Sequence, residues 1–222
     1  MGRCHVLIWL RRTFGSSIGS KALMACTGLV LIGFLFAHLG GNLLLFADAD
    51  GAAFDAYATA LEHSPLLPLA EAGLALLFCA HIVLGVRVQR ANREARETAY
   101  RVRRTHGART PGSRTMVATG LVILLFLVAH LYDFRLCRPE GDSLALIVRE
   151  RLASPSGLVL YGAGVLALGL HLTHALRSAL HTLGLHHPRY EALVDRASFL
   201  LGFVLGLAFL SFPLVFFLGG AA

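Results

Sequence analysis

Residues 22–47 read ALMACTGLVLIGFLFAHLGGNLLLFA, twenty-six positions in a row without Asp, Glu, Lys or Arg. A helix needs about 20 apolar residues to cross the hydrocarbon core of a bilayer, so this stretch alone predicts a membrane span. Three further charge-free runs follow the same rule: 115–132 with 18 residues, 152–176 with 25 and 197–222 with 26. A fifth, Gly73–Val86, has 14 residues and extends outward to His63 once Glu71 is admitted. Of the 222 residues, 56% are hydrophobic and 15% charged, where soluble domains carry about a quarter charged. The expected fold is all-α, a polytopic membrane bundle of five transmembrane helices near 22–46, 65–87, 115–136, 155–178 and 197–218, forming one domain over 1–222. A soluble enzyme, a disulfide-stapled secreted domain and a nucleic-acid binder are excluded.

The formal charge of +7 suggests nucleic acid until its placement is examined. Lys and Arg number four before span I, nine between spans II and III and three between IV and V, sixteen in all on one side. The other side holds four, all between III and IV. By the positive-inside bias the amino terminus and the II–III and IV–V connections face the cytoplasm and the carboxyl terminus lies outside. The charge is a topology signal.

The connections carry little chemistry of their own. Cys4, Cys26, Cys79 and Cys137 form no C-x-x-C pair, so neither a zinc site nor an iron–sulfur cluster is indicated. The I–II connection is acidic and contains a short helical segment, FDAYATALEH, before Pro65. The II–III connection begins as a helical extension, QRANREARETAYRVRR, and breaks at GARTPGSR. Asp142–Ser143 is a helix start in the III–IV connection. No dinucleotide fingerprint, P-loop or nucleophile elbow occurs.

The histidines are different. Ionisable groups inside a membrane are costly and mark function, and His38, His81, His130 and His171 each lie deep in a separate apolar run. In 22-residue windows from Leu23, Leu66, Thr115 and Ser156, each is the sixteenth residue. Spans I and III run outward and spans II and IV inward. His38 and His130 therefore share an outer level, His81 and His171 an inner one, about 13 Å apart at 1.5 Å per residue. Two imidazole pairs at two depths suit two bis-histidine haems b stacked across the membrane. A lone intramembrane histidine is ordinarily a helix–helix hydrogen-bond partner; four at matched depth favour ligation. Arg87 and Arg177 each follow an inner ligand by six residues, where Arg could hold haem propionates. His174, one turn after His171, is an alternative ligand or a propionate partner. Gly28, Gly120 and Gly164 offer side-chain-free edges for a flat macrocycle. Span V, with neither histidine nor charge, is a packing or lipid-facing helix.

Three stretches, SSIGSKALMACTGLVLIGFLFAHLGGNLLLF, SRTMVATGLVILLFLVAHLYDF and GLHLTHALRSALHTLGLHHPRY, resemble the cytochrome b membrane-anchor subunit of succinate dehydrogenase/fumarate reductase, in its five-helix, two-haem bacterial class. The likeness covers almost the whole chain. It implies a respiratory complex II subunit of the tricarboxylic acid cycle in the bacterial inner membrane, an enzyme only as the electron-transferring, quinone-reducing part of succinate:quinone oxidoreductase. It implies His38 and His130 as ligands of the haem far from the soluble subunits, and His81 and His171 as ligands of the near one. A flavoprotein subunit would oxidise succinate, an iron–sulfur subunit would pass the electrons on, and a membrane quinone, menaquinone, would receive them. FAD and the clusters would belong to those partners, and the whole complex could associate further. A carboxylate near the outer quinone site in the family matches Glu62, expected to exchange protons there, with Glu71 as its competitor. Some fumarate reductase members carry a glutamate two residues before the span IV ligand for transmembrane proton return; here that residue is Gly169, a departure from the pattern. Two other readings remain from the residues: a dihaem anchor of a hydrogenase or formate dehydrogenase, and a haem-free transporter with a histidine proton relay.

Overall fold

A computed structural model describes residues 16–94, 111–139, 141–185 and 187–219. Seven α-helices follow in order: α1 Ser17–Leu43, α2 Ala52–Glu62, α3 Leu67–Glu94, α4 Pro111–Leu131, α5 Leu144–Ala153, α6 Pro155–Thr182 and α7 Glu191–Gly219. No strand occurs among the described residues. Five of these helices are long and apolar enough to cross a membrane, as expected for a multi-pass membrane protein, in which helices satisfy their own backbone polar groups. The helices outrun the apolar windows. α1 starts at Ser17 rather than near 22, α3 runs to Glu94 and α6 to Thr182, and α7 begins at Glu191 rather than near 197. Charge counting locates the hydrocarbon slab, whereas helical hydrogen bonding continues into the polar layers beyond it. The continuation of the α3 extension past Glu94, the amino-terminal tail with Cys4, and His106 and His186 lie outside the described residues.

Helices α1 and α3 pack together, as do α4 and α6, and α1 also packs on α6. The four histidine-bearing helices thus pack in the order α3–α1–α6–α4, an open ring in which α1 and α4 lie on one diagonal, and α3 and α6 on the other. Helix α7 lies outside this ring, packed extensively on α6. That makes α6 the hub: 44% of its apolar window is buried, against 6% for α3 and for α4.

Lipid is as apolar as leucine, so helices in a membrane associate through close packing rather than through the hydrophobic effect. The α6–α7 crossing shows how. A Cβ added at Gly169 would lie 3.2 Å from the Gly202 carbonyl oxygen, and one at Gly202 would lie 2.6 Å from Thr173 N. Beside this glycine contact, the buried Ser198 hydroxyl donates to Thr173 O (2.9 Å) and accepts from Arg177 N (3.2 Å). A side chain of α7 is thereby inserted into the hydrogen-bond ladder of α6.

Outside the slab the hydrophobic effect operates again, and one end of the ring is roofed. Helices α2 and α5 cover it, with a core of Leu45, Phe54, Ala145, Val148, Leu152, Tyr161, Phe212 and Phe216. Ser143 caps α5 by accepting from Leu146 N (3.1 Å), and Asp55 of α2 joins that cap, accepting from Ser143 Oγ (2.5 Å) and Ala145 N (2.8 Å). A cap of this kind stabilises a helix by about 1 kcal/mol. Gly51, at φ +80°, precedes α2, and a Cβ there would run into Ala145. Arg149, 5% exposed, donates to Leu45 O (2.8 Å), Asp48 O (2.9 Å) and Ala49 O, which ties α5 to the end of α1. The capped end holds the carboxyl ends of α1 and α4; the opposite, open end holds their starts.

Candidate functional site

His38 on α1 and His130 on α4 meet across one diagonal near the capped end. Their ring centroids are 5.8 Å apart and their planes stand at 87°. Two imidazoles sharing one metal through nitrogens at about 2 Å each have centroids separated by roughly 6 Å, so the spacing suits a shared ion. Aromatic rings enclose the pair. Phe34 stacks on His38 at 5.4 Å and Phe209 of α7 lies 6.0 Å away. Phe134, Phe126 and Tyr161 surround His130 at 5.4, 5.7 and 6.1 Å. The Nδ1 atom of His130 is buried without a hydrogen-bond partner, a costly state for a polar atom. His38 Nε2 lies 3.4 Å from Asn42 Nδ2, which donates to His38 O at 2.7 Å.

His81 on α3 and His171 on α6 belong to the other diagonal, near the open end. Each holds its Nδ1 against a threonine of the neighbouring helix, Thr27 Oγ1 at 3.0 Å and Thr119 Oγ1 at 3.2 Å. Thr27 donates its only hydroxyl proton to Met24 O (3.0 Å). Thr119 directs its own to Thr115 O (2.9 Å) and Met116 O (3.2 Å). The oxygens are therefore acceptors toward the rings, Nδ1 carries the imidazole proton, and Nε2 presents a free lone pair. That is the tautomer a metal ligand needs, with an acceptor holding the proton on its far nitrogen as usually accompanies one. His38 and His130 have the spacing, and His81 and His171 the tautomer, that axial haem ligands would need.

These threonines escape a search confined to titratable residues, but a signal exists. TGLV at 27–30 and AHL at 37–39 recur as TGLV at 119–122 and AHL at 129–131, an offset of 92 residues. His81 and Arg87 recur as His171 and Arg177, offset by 90. The helix pair α1–α3 thus reappears as α4–α6, and each pair builds one threonine–histidine contact. The glycines of these helices lie against neighbouring rings. A Cβ at Gly28 would crowd His81 Cε1 at 3.2 Å, one at Gly120 would be in ordinary contact with His171 Cε1 at 3.8 Å, and one at Gly164 would overlap the Phe126 ring.

The two arginines diverge. Arg177, its side chain 13% exposed, pairs with Glu191 (3.0 Å) and Asp195 of α7. Arg87 is exposed and makes no ion pair among the described residues. His174 is an electrostatic neighbour of Arg177, Asp195 and His181, so it belongs to the α6–α7 contact. Gly169 faces Gly202 and Gly206 of α7, and a carboxylate side chain has no space there.

Both candidate carboxylates at the capped end are bound to arginine. Glu62, the last residue of α2, meets Arg138 at 2.6 Å, and Glu71 meets Arg135 through two hydrogen bonds of 2.7 and 3.1 Å. The Glu71–Arg135 pair links α3 to the π-helical turn Tyr132–Leu136 that follows α4. The same turn carries Asp133, which accepts from Tyr161 Oη (2.9 Å) and Arg151 Nε (2.8 Å) beside the His130 ring. This network was not apparent from sequence; its one trace is the charge three residues after His130.

No family model, curated protein or solved structure matches the chain.

Proposed function

We propose that the chain is the dihaem cytochrome b anchor of a succinate dehydrogenase/fumarate reductase, lodged in a bacterial inner membrane and delivering electrons from an iron–sulfur subunit to a membrane quinone, menaquinone. The observation that supports it best is the pairing of four histidines across both diagonals of one helical ring, two of them with Nε2 freed by a threonine. His38 and His130 would hold one haem b, His81 and His171 the other. When bound, haem b supplies a one-electron carrier. The chain's own part is then positional. Thr27 and Thr119 orient the imidazoles, the phenylalanines around His38 and His130 exclude water, and Arg87 remains free for a propionate while Arg177 is shared with α7.

In this reading the open end faces the cytoplasm, following the positive-inside bias, and its basic connections dock the flavoprotein and iron–sulfur subunits. Quinone reduction belongs to the capped end, where Glu62 exchanges the protons. The test is purification with partner subunits, followed by a pyridine haemochrome assay and succinate–quinone activity. Two haems b per chain and succinate-dependent quinone reduction are expected. Haem without succinate activity would move the assignment to a hydrogenase or formate dehydrogenase anchor. Absence of haem would leave the histidine relay of a transporter.

A further inference from the structure

We infer that Thr27 and Thr119 are positioning residues that set the redox potential of the haem held by His81 and His171, by accepting the Nδ1–H of each ligand; this rests on the proposed function. Three observations converge on the two hydroxyls. Each lies within hydrogen-bond distance of the Nδ1 of an intramembrane imidazole, at 3.0 and 3.2 Å. Each has already committed its proton to a backbone carbonyl of its own helix, at 3.0 Å for Thr27 and 2.9 Å for Thr119. Each is followed by a glycine beside the same ring, Gly28 where a Cβ would crowd His81 Cε1 at 3.2 Å and Gly120 where one would be in ordinary contact with His171 Cε1 at 3.8 Å.

The alternative tautomer fails on elementary grounds. If the hydroxyl donated to Nδ1, its oxygen would face the carbonyl oxygen at hydrogen-bond distance with no proton between them. The arrangement that satisfies every atom is Nδ1–H to Oγ1 and Oγ1–H to the carbonyl. An acceptor on the far nitrogen raises the basicity of the ligating one. A more basic ligand stabilises the oxidised iron, so the two threonines hold this haem at a lower potential than bare imidazoles would. His130 lacks the device, since its Nδ1 is buried with no partner. Because the same contact is built twice, the two threonines should act alike.

The experiment is a redox titration of the haem absorption bands in the purified complex carrying Thr27→Val, Thr119→Val or both, with Thr→Ser at each position as the control. Valine keeps the shape and removes the acceptor; serine keeps the acceptor. We expect each valine variant to raise the midpoint of one haem only, the double variant to raise it further, and both serine variants to titrate like the parent. His81→Ala identifies which haem has moved. Unchanged midpoints in the double valine variant would overturn the inference while leaving the dihaem reading intact. A shift confined to the other haem would do the same. If valine causes loss of the haem, retention at the parent potential in the serine variant supports the role of the hydroxyl, and loss in both overturns it. A parent complex without haem in the pyridine haemochrome assay would overturn the proposed function itself, and this inference with it.

Discussion

The two ends of the helical ring hold their histidines by opposite means. At the open end each imidazole is tied to a neighbouring helix by one hydrogen bond, His81 to Thr27 and His171 to Thr119. At the capped end His38 and His130 are packed among rings, with Asn42 Nδ2 3.4 Å from His38 Nε2 and His130 Nδ1 left unpartnered, and the other polar groups form a separate network around Asp133, Tyr161 and Arg151. A hydrogen bond fixes a tautomer and tunes a ligand; a cage of rings fixes a position and excludes water. Under the proposed function the difference would correspond to an open end that passes electrons and a capped end that combines them with protons.

The largest effect that would break this comparison is the loss of one site without the other. His130→Ala should remove one of the two haems, measured by pyridine haemochrome, and abolish quinone turnover while the His81/His171 haem remains. Loss of both haems would mean that the two diagonals are not independent, and loss of neither would remove His130 from the ligand set. Glu62→Gln comes next, because it leaves both haems in place. It should abolish quinone reduction while succinate oxidation with an artificial acceptor survives. Full turnover in that variant would shift the proton-exchanging role to Glu71, or to a group at the open end.

Stability separates the two ends more finely. A Cβ at Gly164 overlaps Phe126, whose ring packs on both His130 and Tyr161. Gly164→Ala should therefore cost about 1–3 kcal/mol, the usual range for overpacking, and broaden the spectrum of the His38/His130 haem. At the open end Gly28→Ala meets only a ring edge at 3.2 Å, so its effect should be smaller and confined to the other haem. Thermal unfolding in detergent, read beside the haem spectra, ranks the two. Tyr161→Phe is milder still. It removes one of two donors to Asp133 and leaves Arg151 in place, so about 1 kcal/mol should be lost with both haems retained.

The sequence carried the slab, the five spans and the four deep histidines, because hydropathy and burial of ionisable groups are properties of composition along a line. It also carried the adjacency of His38 and His130, since depth follows from helix direction. What it did not carry depends on rotation about each helix. Gly169 and His171 are two residues apart, yet one packs against Gly202 of α7 and the other turns its ring to Thr119 of α4. Arg87 and Arg177 occupy equivalent positions after their histidines, but only Arg177 meets α7 and is taken up by Glu191 and Asp195. Helix α7 breaks the internal repeat; Gly202 and Gly206 mark a close-packing face on it, but its sequence does not announce which neighbour that face covers. Thr27 and Thr119 were within reach through the repeated TGLV, read as a shared element rather than as apolar filler.

The smallest expected effect concerns His174, one turn after His171 and so on a similar face of α6. A spacing of three residues allows either imidazole to be the ligand, and depth alone distinguishes them by less than the uncertainty of a span boundary. The surroundings decide it. His171 has its Nδ1 on Thr119 and its ring beside Gly120, matching His81 with Thr27 and Gly28. His174 has Arg177, Asp195 and His181 as electrostatic neighbours, groups that belong to the contact with α7. His174→Ala should accordingly retain two haems per chain and leave both midpoints within the scatter of the parent. A spectrum lacking the open-end haem would assign the ligand to His174 and reduce the Thr119 contact to packing. An unchanged haem spectrum with lowered thermal stability would place His174 where its neighbours already suggest, in the polar seam between α6 and α7.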